Sequence, residues 1–456
     1  MNRFYDPENL HEIAWVKRAL EYETLIPGYM EELQKDPEGT LKKWGLPMAI
    51  RDYSFGPSTL EKNNIKMNAT YSDSAAEKYA EFMDNKCIYR DEIREKCTPK
   101  NEAMKKWRQR QIGRCSIQLG AKFNALVHAP VIFELQDGCS VGCKFCGLNA
   151  GKLKAVFEYT KENAKLFKEV ITIVKDIIGD AAGYGTLYYA TEPLDNPDYE
   201  KFMKDYREVF GITPQITTAK SAGNIERLRP LLAEINENQD VIYRFSLLSE
   251  GAARKIFEEF TPEELILTEL LPQYEEAPAS NLISAGRNAK NDEYSDTISC
   301  VSGFVINMVN KTIRLTTPTW ASKEHPTGEI ILETVQFADG DDFRAKMMEI
   351  IGRHMKNIIE PDDEITLEEG ITLKFVNGEA VFSTEKMVEI RFPAAEGDSF
   401  IKKVFDALQK GYRKKRDIVR ELSVTGNGGV IRPELIYYIL NRFWTFGLIK
   451  TRSGKI

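Results

Sequence analysis

Three cysteines in the middle of the chain have a spacing that suits metal chemistry. Cys139, Cys143 and Cys146 form a C-x3-C-x2-C pattern directly after an apolar run. Three thiolates on one short loop can bind three irons of a 4Fe–4S cube and leave the fourth iron open. An open iron can bind a small molecule and pass it an electron, which a fully ligated cluster cannot do. The pattern therefore predicts one 4Fe–4S cluster on these residues.

A zinc site is the main alternative for the three cysteines. Structural zinc normally takes four Cys or His ligands, commonly as two separated pairs. The chain offers only His128 nearby, and it has no second C-x-x-C. The total of 7 cysteines is odd and three of them crowd together, which indicates metal binding in a reducing compartment rather than a disulfide framework. The iron–sulfur interpretation is therefore preferred.

The composition is that of an ordinary globular chain with a small acidic excess. The 456 residues suffice for roughly two or three domains, and the net charge is −7. No apolar run is long enough to cross a bilayer, and the first residues are polar rather than signal-like. We therefore expect a cytoplasmic protein with no membrane partner and no nucleic-acid partner.

Strands and helices alternate around the cysteines. Residues 1–125 are mostly helical in pattern, with a helix predicted over 29–44 among others, and the alternation that follows is typical of an α/β layer with a parallel sheet. In such folds chemistry gathers at the carboxyl ends of the strands, where the cysteines stand. Helices are predicted over 160–178, 197–209, 223–235 and 252–260. Strands are predicted at 131–135, 186–190, 215–218, 241–248 and 282–285.

Polar side chains stand at or near the ends of the later strands. Glu192 follows the second predicted strand, Thr218 ends the third, and Arg244 and Ser246 lie on the fourth. Arg244 and Ser246 share one face because side chains alternate along a strand. Each of them could bind a ligand or join a local polar network.

The other cysteines have no close spacing. Cys300 stands where the alternation gives way to antiparallel hairpins, and Cys87, Cys97 and Cys115 lie in the first region. A free cysteine is most often a buried small apolar residue. An auxiliary cluster is not expected, because no cysteine follows Cys300. Past it, hairpins are predicted at 304–316 and 371–383, then helices over 398–410, 416–423 and 433–446.

The stretch Ala129–Leu148 resembles the radical S-adenosylmethionine (SAM) enzymes, and among them the proteusin-type peptide epimerases of ribosomal natural-product pathways. Phe145 matches an aromatic residue that these enzymes often carry before the third cysteine. The segment 189–193 resembles their Gly-Gly-Glu element, although Ala190 and Thr191 replace the glycines. A cysteine after the barrel also fits.

The resemblance implies an α/β fold with a partial (β/α)6 barrel of the TIM type over 126–300. A helical region, 1–125, would precede it and a winged-helix-like domain, 301–456, would follow. The implied reaction converts L-residues of a precursor peptide into D-residues. A 5′-deoxyadenosyl radical takes the α-hydrogen, and a thiol returns a hydrogen to the opposite face. Cys300 is the predicted donor, by its place in the chain.

The resemblance also implies cofactors, contacts and partners. The cofactors are one 4Fe–4S cluster and SAM, and the partners are a precursor peptide with an N-terminal leader and an electron donor such as flavodoxin or ferredoxin. The leader would add as a strand to a sheet edge around 371–383, beside the basic helix that begins near Lys402. Glu192 would bind the SAM ammonium group, Arg244 its carboxylate and Ser246 its ribose. The remaining predicted SAM contacts are Phe145, Ala190, Thr191 and Thr218.

Two other functions stay open. One is a radical SAM enzyme that crosslinks peptides through carbon–carbon or thioether bonds. The other is a zinc-binding or DNA-binding regulator without catalytic activity.

Overall fold

The protein, as a computed structural model, is described over residues 3–47, 74–120, 126–280, 282–289, 297–385, 389–394, 399–423 and 432–452. The helices are α1 (Leu10–Leu25), α2 (Tyr29–Lys35), α3 (Pro37–Lys43), α4 (Ser74–Lys96), α5 (Glu102–Leu119), α6 (Lys161–Ile178), α7 (Tyr199–Phe210), α8 (Ile225–Asn238), α9 (Glu250–Glu259), α10 (Gly340–His354), α11 (Ser399–Gln409), α12 (Lys415–Ser423) and α13 (Pro433–Thr445). The strands are β1 (Ala129–Glu134), β2 (Gln136–Asp137), β3 (Ala155–Val156), β4 (Thr217–Thr218), β5 (Tyr243–Leu247), β6 (Thr268–Pro272), β7 (Val301–Asn307), β8 (Thr312–Pro318), β9 (Glu329–Gln336), β10 (Glu364–Leu367), β11 (Thr372–Val376), β12 (Glu379–Ser383), β13 (Glu389–Pro393), β14 (Arg413–Lys414) and β15 (Ile449–Thr451).

Parallel strands form the part of the fold that carries the cysteine loop. β1 pairs in parallel with β7, and β4, β5 and β6 make a parallel sheet of their own. The chain at Thr186 connects the two, because its carbonyl accepts a hydrogen bond of 2.9 Å from Phe133 N and it forms a parallel bridge with Gln215. The fold is mixed α/β, and the described strands do not close into a barrel. The six-stranded partial barrel stays a prediction.

The amphipathic helices predicted around these strands are confirmed as α6, α7, α8 and α9. α6 shows why they form. The Thr160 side chain caps it by accepting a hydrogen bond from Asn163 N, and Gly179, with a φ of 86°, follows its last turn. Its apolar residues recur at three- and four-residue intervals and so share one buried face. They include Phe167, Val170, Ile171, Val174 and Ile178.

Three predicted elements are wrong in detail. The predicted helix over 29–44 is two helices, because Pro37 has no amide hydrogen and restricts the residue before it. The predicted strand at 186–190 is only the bridge at Thr186, and 282–285 is not a strand. β6 takes its place beside β5. The prediction missed β6 because a short run of leucines broken by Glu269 suits a helix as well as a strand.

The chain after residue 300 contributes to the main core and to a second core. β7, β8 and β9 extend the sheet that contains β1, and the hairpin of β7 and β8 is as predicted. A second core contains β10 to β13, β15 and the three predicted helices α11, α12 and α13, together with Ile117 of α5. The hairpin of β11 and β12, with its turn at Asn377-Gly378, is also as predicted. The predicted domain boundaries stay predictions.

None of the described helices is both long enough and apolar enough to cross a membrane.

Candidate functional site

The cysteine loop begins directly after β2, which follows β1, and the loop is shaped by its backbone. Gly138 has a φ of 88°, and a Cβ there would lie 2.2 Å from the Lys152 carbonyl oxygen. Cys139 N donates to the Gly151 carbonyl at 2.9 Å, and Leu153 N donates to the Cys139 carbonyl at 3.2 Å. The chain therefore returns beside its own start, which closes the loop around the three cysteines.

The thiols of Cys139, Cys143 and Cys146 all line one cavity. A hydrogen bond between the thiols of Cys143 and Cys146 raises the pKa of the first and lowers the pKa of the second. Burial raises the pKa of Cys139. The side chains of Cys143 and Cys146 thus lie next to each other, and Cys139 lines the same cavity.

A single metal ion and a 4Fe–4S cube place different demands on the three sulfurs. No three His, Cys, Asp or Glu side chains of the described residues are placed to hold one metal ion. In a 4Fe–4S cube each thiolate binds a separate iron, so the sulfurs need not converge on one point. His128, the histidine that a zinc site would need, is fully buried with its Nδ1 2.8 Å from Ser302 Oγ.

Asp195 fastens the start of the cysteine loop. Its carboxylate accepts hydrogen bonds from Ser140 N at 2.8 Å and from Ser140 Oγ at 2.5 Å. Lys220 Nζ pairs with the same carboxylate at 2.9 Å. The Asp195 side chain is only 1% exposed, so this residue is a buried anchor beside Cys139.

Arg287 fastens the other end of the loop. Its backbone N–H donates to the Cys146 carbonyl at 3.0 Å. Its guanidinium donates to the Cys143 carbonyl at 3.3 Å and to the Ala150 carbonyl. Its neighbour Gly286 lies so close to the loop that a Cβ there would be 2.3 Å from the Gly147 carbonyl oxygen. The chain after β6 therefore holds the loop that follows β1.

Glu192 lines the cavity but is held by the protein on both oxygens. Oε1 accepts hydrogen bonds from Thr218 Oγ1 at 2.5 Å and from Leu194 N at 3.1 Å, and Oε2 accepts one from Ala219 N at 2.9 Å. Burial raises the pKa of Glu192, although these hydrogen bonds oppose the shift. Thr218 thus orients Glu192 and is not part of the cavity lining itself.

Side chains of the parallel strands face the cavity in rows. Thr217 lies opposite Arg244, and Arg244 lies opposite Glu269. Ser246 is two residues closer to the end of β5 than Arg244, and it lies opposite Leu271 of β6. This row, nearer the cysteine loop, combines the large Leu271 with small side chains, since Ala190 and Ala219 also line the cavity.

Charged groups form the row farther from the loop. Arg244 Nε lies 2.9 Å from Glu269 Oε2, and Lys86 Nζ of α4 lies 3.0 Å from Glu269 Oε1. Tyr188 donates to Thr217 Oγ1 at 2.7 Å in the same row. α4 thereby forms one wall of the cavity, a role that no residue type in the first 125 positions indicated.

Cys300 faces the same cavity as the motif cysteines. It packs in an apolar group with Leu148 and Ala190. Ile298, two residues earlier, is so close to the loop that a Cβ on Gly147 would lie 3.2 Å from Ile298 Cβ. Burial raises the pKa of Cys300, with Arg244 opposing, so the thiol keeps its hydrogen at neutral pH.

Most of the predicted site residues come together. The cavity has a volume of about 570 Å³ and is lined by Cys139, Cys143, Cys146, Ala190, Thr191, Glu192, Arg244, Ser246 and Cys300, among others. Phe145 and Thr218 are described but do not belong to the lining. Cys87 of α4 also lines the cavity, although its sequence context suggested a packing role; Cys97 and Cys115 are buried.

Sequence reasoning missed Asp195, Arg287, Lys86 and Glu269. Asp195 could have been found, because it lies three residues after Glu192 in a loop at a strand end. Arg287 and Lys86 gave no signal, since their partners lie more than 130 positions away along the chain.

Two known proteins are similar to parts of this chain. No family model matches the chain. The uncharacterized protein y4wI of Sinorhizobium fredii (strain NBRC 101917 / NGR234) is 35% identical over 297 residues, which covers 62% of this chain and 58% of that protein. The chain thus spans less than two thirds of this relative's length. The crystal structure of BtrN in complex with AdoMet and 2-DOIA matches with a TM-score of 0.30 and 16% identity, over 41% of this chain and 72% of that one, and a likeness this weak supports no conclusion.

Proposed function

We propose that this chain is a radical SAM enzyme that converts L-residues of a ribosomally made precursor peptide into D-residues. One observation carries the proposal. The three motif cysteines and the separate thiol of Cys300 line a single cavity, although 154 positions separate Cys146 from Cys300. Epimerisation needs a metal centre and a hydrogen donor around one substrate carbon, and the lining of this cavity offers residues for both.

The cysteine loop fits the proposed cofactors. Cys139, Cys143 and Cys146 would hold three irons of a 4Fe–4S cluster. Such a cluster, together with SAM, would supply a 5′-deoxyadenosyl radical. Asp195 and Arg287 hold the loop at its two ends, so the thiols are positioned before a cluster binds.

The residues proposed to bind SAM lie mainly on the strand-end side of the cavity. Glu192 accepts three hydrogen bonds, and a carboxylate has about four acceptor sites, so one remains for the SAM ammonium group. Ser246 is the proposed partner of the ribose and Arg244 of the carboxylate. The small side chains of Ala190 and Ala219 leave room between them. Thr191 lines the cavity and completes the proposed contacts. Thr218 would act through Glu192, and Phe145, which lies outside the lining, stays a prediction.

Cys300 is proposed to complete the inversion. After the α-hydrogen has left, the substrate carbon is a planar radical. The S–H bond of Cys300 breaks, a C–H bond forms on the opposite face, and a thiyl radical remains. One electron and one proton, supplied through a donor such as flavodoxin or ferredoxin, restore the thiol. The raised pKa of Cys300 favours this role, because a thiolate has no hydrogen to give.

The part of the chain that forms the second core, from β10 to β15, is proposed to bind the leader of the precursor peptide. β11, β12 and β13 form an antiparallel sheet in that order, so among the described strands β11 and β13 each have an unpaired edge. Phe392 of β13 packs 4.8 Å from the Phe446 ring, which places this sheet against the end of α13. An extended peptide can add to such an edge through main-chain hydrogen bonds.

The test is a reaction in deuterium oxide with anaerobically reconstituted protein, SAM, a reductant and a leader-bearing precursor peptide. Epimerisation by thiol return adds one deuterium for each D-residue formed. Crosslinking would instead lower the peptide mass by two hydrogens per bond. Inverted residues without deuterium, or a crosslinked product, would overturn the proposal, as would purified protein that contains zinc and no sulfide.

A further inference from the structure

The charged row of the cavity has one more positive than negative group. Lys86 of α4 and Arg244 of β5 both pair with the single carboxylate of Glu269, at 3.0 and 2.9 Å. We define these three residues as the cavity floor. Two cations share one anion, so the floor has an excess of one positive charge. The Arg244 side chain is 49% exposed, although it faces into the cavity, so a ligand can reach it.

We propose that the cavity floor is a binding subsite for a carboxylate group, built by Lys86 and Arg244 with Glu269 as the residue that positions them. The identity of the ligands rests on the proposed function, but the charge and geometry of the subsite do not. Glu192 is the other carboxylate among the described lining residues, and hydrogen bonds from Thr218 and Ala219 already hold its two oxygens.

Glu269 keeps the two cations at the cavity wall. Burial would raise the pKa of Glu269, but Lys86 and Arg244 outweigh burial and lower that pKa, so the carboxylate stays ionised. Its two oxygens point to different partners, one from α4 and one from β5. The ammonium and the guanidinium therefore lie on either side of one carboxylate, and both can turn a second donor toward a ligand.

The rows of the cavity leave room for such a ligand. Ala190, Ala219 and Ser246 have small side chains, and they lie between the floor and the cysteine loop. A carboxylate on the floor would therefore belong to a group that extends through this space. Charge-assisted hydrogen bonds are the stronger class, and they gain further strength away from bulk water.

Two ligands could supply the carboxylate. One is SAM, whose carboxylate the sequence assigns to Arg244. The other is the substrate, through an acidic side chain or a chain end. The sequence indicated no role for Lys86 or Glu269 with either ligand, whereas it already assigned Arg244 to SAM. Lys86 is therefore the position to change.

The test uses Lys86→Gln, with Lys78→Gln as the matched control. Lys78 is on the same helix and pairs with Glu12 outside the cavity lining. In one arm, the dissociation constant of SAM is measured for each reconstituted protein by equilibrium dialysis. In the other arm, saturation-transfer NMR compares N-acetyl-L-glutamate amide with its neutral isostere N-acetyl-L-glutamine amide.

We expect Lys86→Gln to weaken at least one carboxylate ligand about tenfold or more, since a hydrogen bond to a charged group is lost, while Lys78→Gln changes neither. Weaker SAM binding alone assigns the floor to the cofactor, and weaker N-acetyl-L-glutamate amide binding assigns it to the substrate. The subsite is overturned if Lys86→Gln leaves the affinities for SAM and for N-acetyl-L-glutamate amide unchanged. It is also overturned if the acidic and neutral amides bind equally and the SAM affinity is unchanged. Protein that binds no cluster and no SAM but still prefers the acidic amide contradicts only the proposed function.

Discussion

Arg287 donates its backbone N–H to the Cys146 carbonyl, and its guanidinium also reaches the carbonyls on both sides of that residue. A residue that follows β6 in the chain thus fixes the third cysteine of the motif. These hydrogen bonds from Arg287 fix the backbone around Cys146, and Cys146 lines the cavity.

Replacing Arg287 by Gln should loosen the loop. The backbone contact remains, but two hydrogen bonds from a charged group are lost. The loop is expected to become less stable by only about 1–2 kcal/mol, because Arg287 is exposed and water weakens such bonds. Such a change is about a 5- to 30-fold shift in a local equilibrium. The measurement is the rate of iron loss to a chelator. A rate equal to that of wild type would show that Arg287 does not hold the loop.

Asp195 should matter for cluster binding rather than for the overall fold. Asp195→Ala removes the acceptor of two hydrogen bonds from Ser140 and leaves Lys220 without this partner. We expect iron and sulfide content to fall to less than about half, with a small fall in melting temperature. Asp198→Ala is the matched control, because Asp198 caps Tyr159 N and pairs with Lys201 in the same chain segment. Equal iron loss in both variants would contradict a specific role for Asp195.

Cys300 and Cys87 can be separated by parallel substitutions. Both thiols line the cavity, but Cys300 packs against the wall next to the cysteine loop and Cys87 comes from α4. Cys300→Ala should still cleave SAM, while D-residue formation falls at least about 100-fold. Cys87→Ala should keep both activities near wild type. The measurement is the ratio of D-residue to 5′-deoxyadenosine, and the reverse outcome would make Cys87 the donor.

The contact between α5 and the end of α13 should contribute to stability. Gly447 has a φ of 70°, and a Cβ there would lie 2.4 Å from Arg114 N. Gly447→Ala should lower the free energy of unfolding by about 2–4 kcal/mol, through backbone strain and this clash. Gly411→Ala is the control, because Gly411 has a φ of 95° but no neighbouring atom within 4 Å of the added Cβ. Equal destabilisation by both would mean that the α5 contact adds nothing.

Local patterns predicted much of the fold. The amphipathic helices α6 to α9 and the hairpin turn at Asn377-Gly378 depend on nearby residues, so sequence alone indicated them. The segment at Thr186 is different. Only one bridge connects it to its neighbour, and its place depends on Phe133 of β1 and on Gln215, which precedes β4.

The site likewise has some residues that local patterns indicate and others that depend on distant parts of the chain. The cysteine loop and Glu192 follow from spacing and from strand ends. Lys86 and Arg287 do not, because their meaning appears only when α4 and the segment after β6 meet the parallel sheet. An isolated charge in a charged helix is more often solvated than functional, so no residue-level signal was present.

Electron paramagnetic resonance of the anaerobically reconstituted and reduced protein, with and without SAM, is the most direct test of an open-iron cluster on Cys139, Cys143 and Cys146. We predict a reduced 4Fe–4S signal whose g-values change when SAM is added. The absence of such a signal, or a signal that SAM leaves unchanged, would contradict the account.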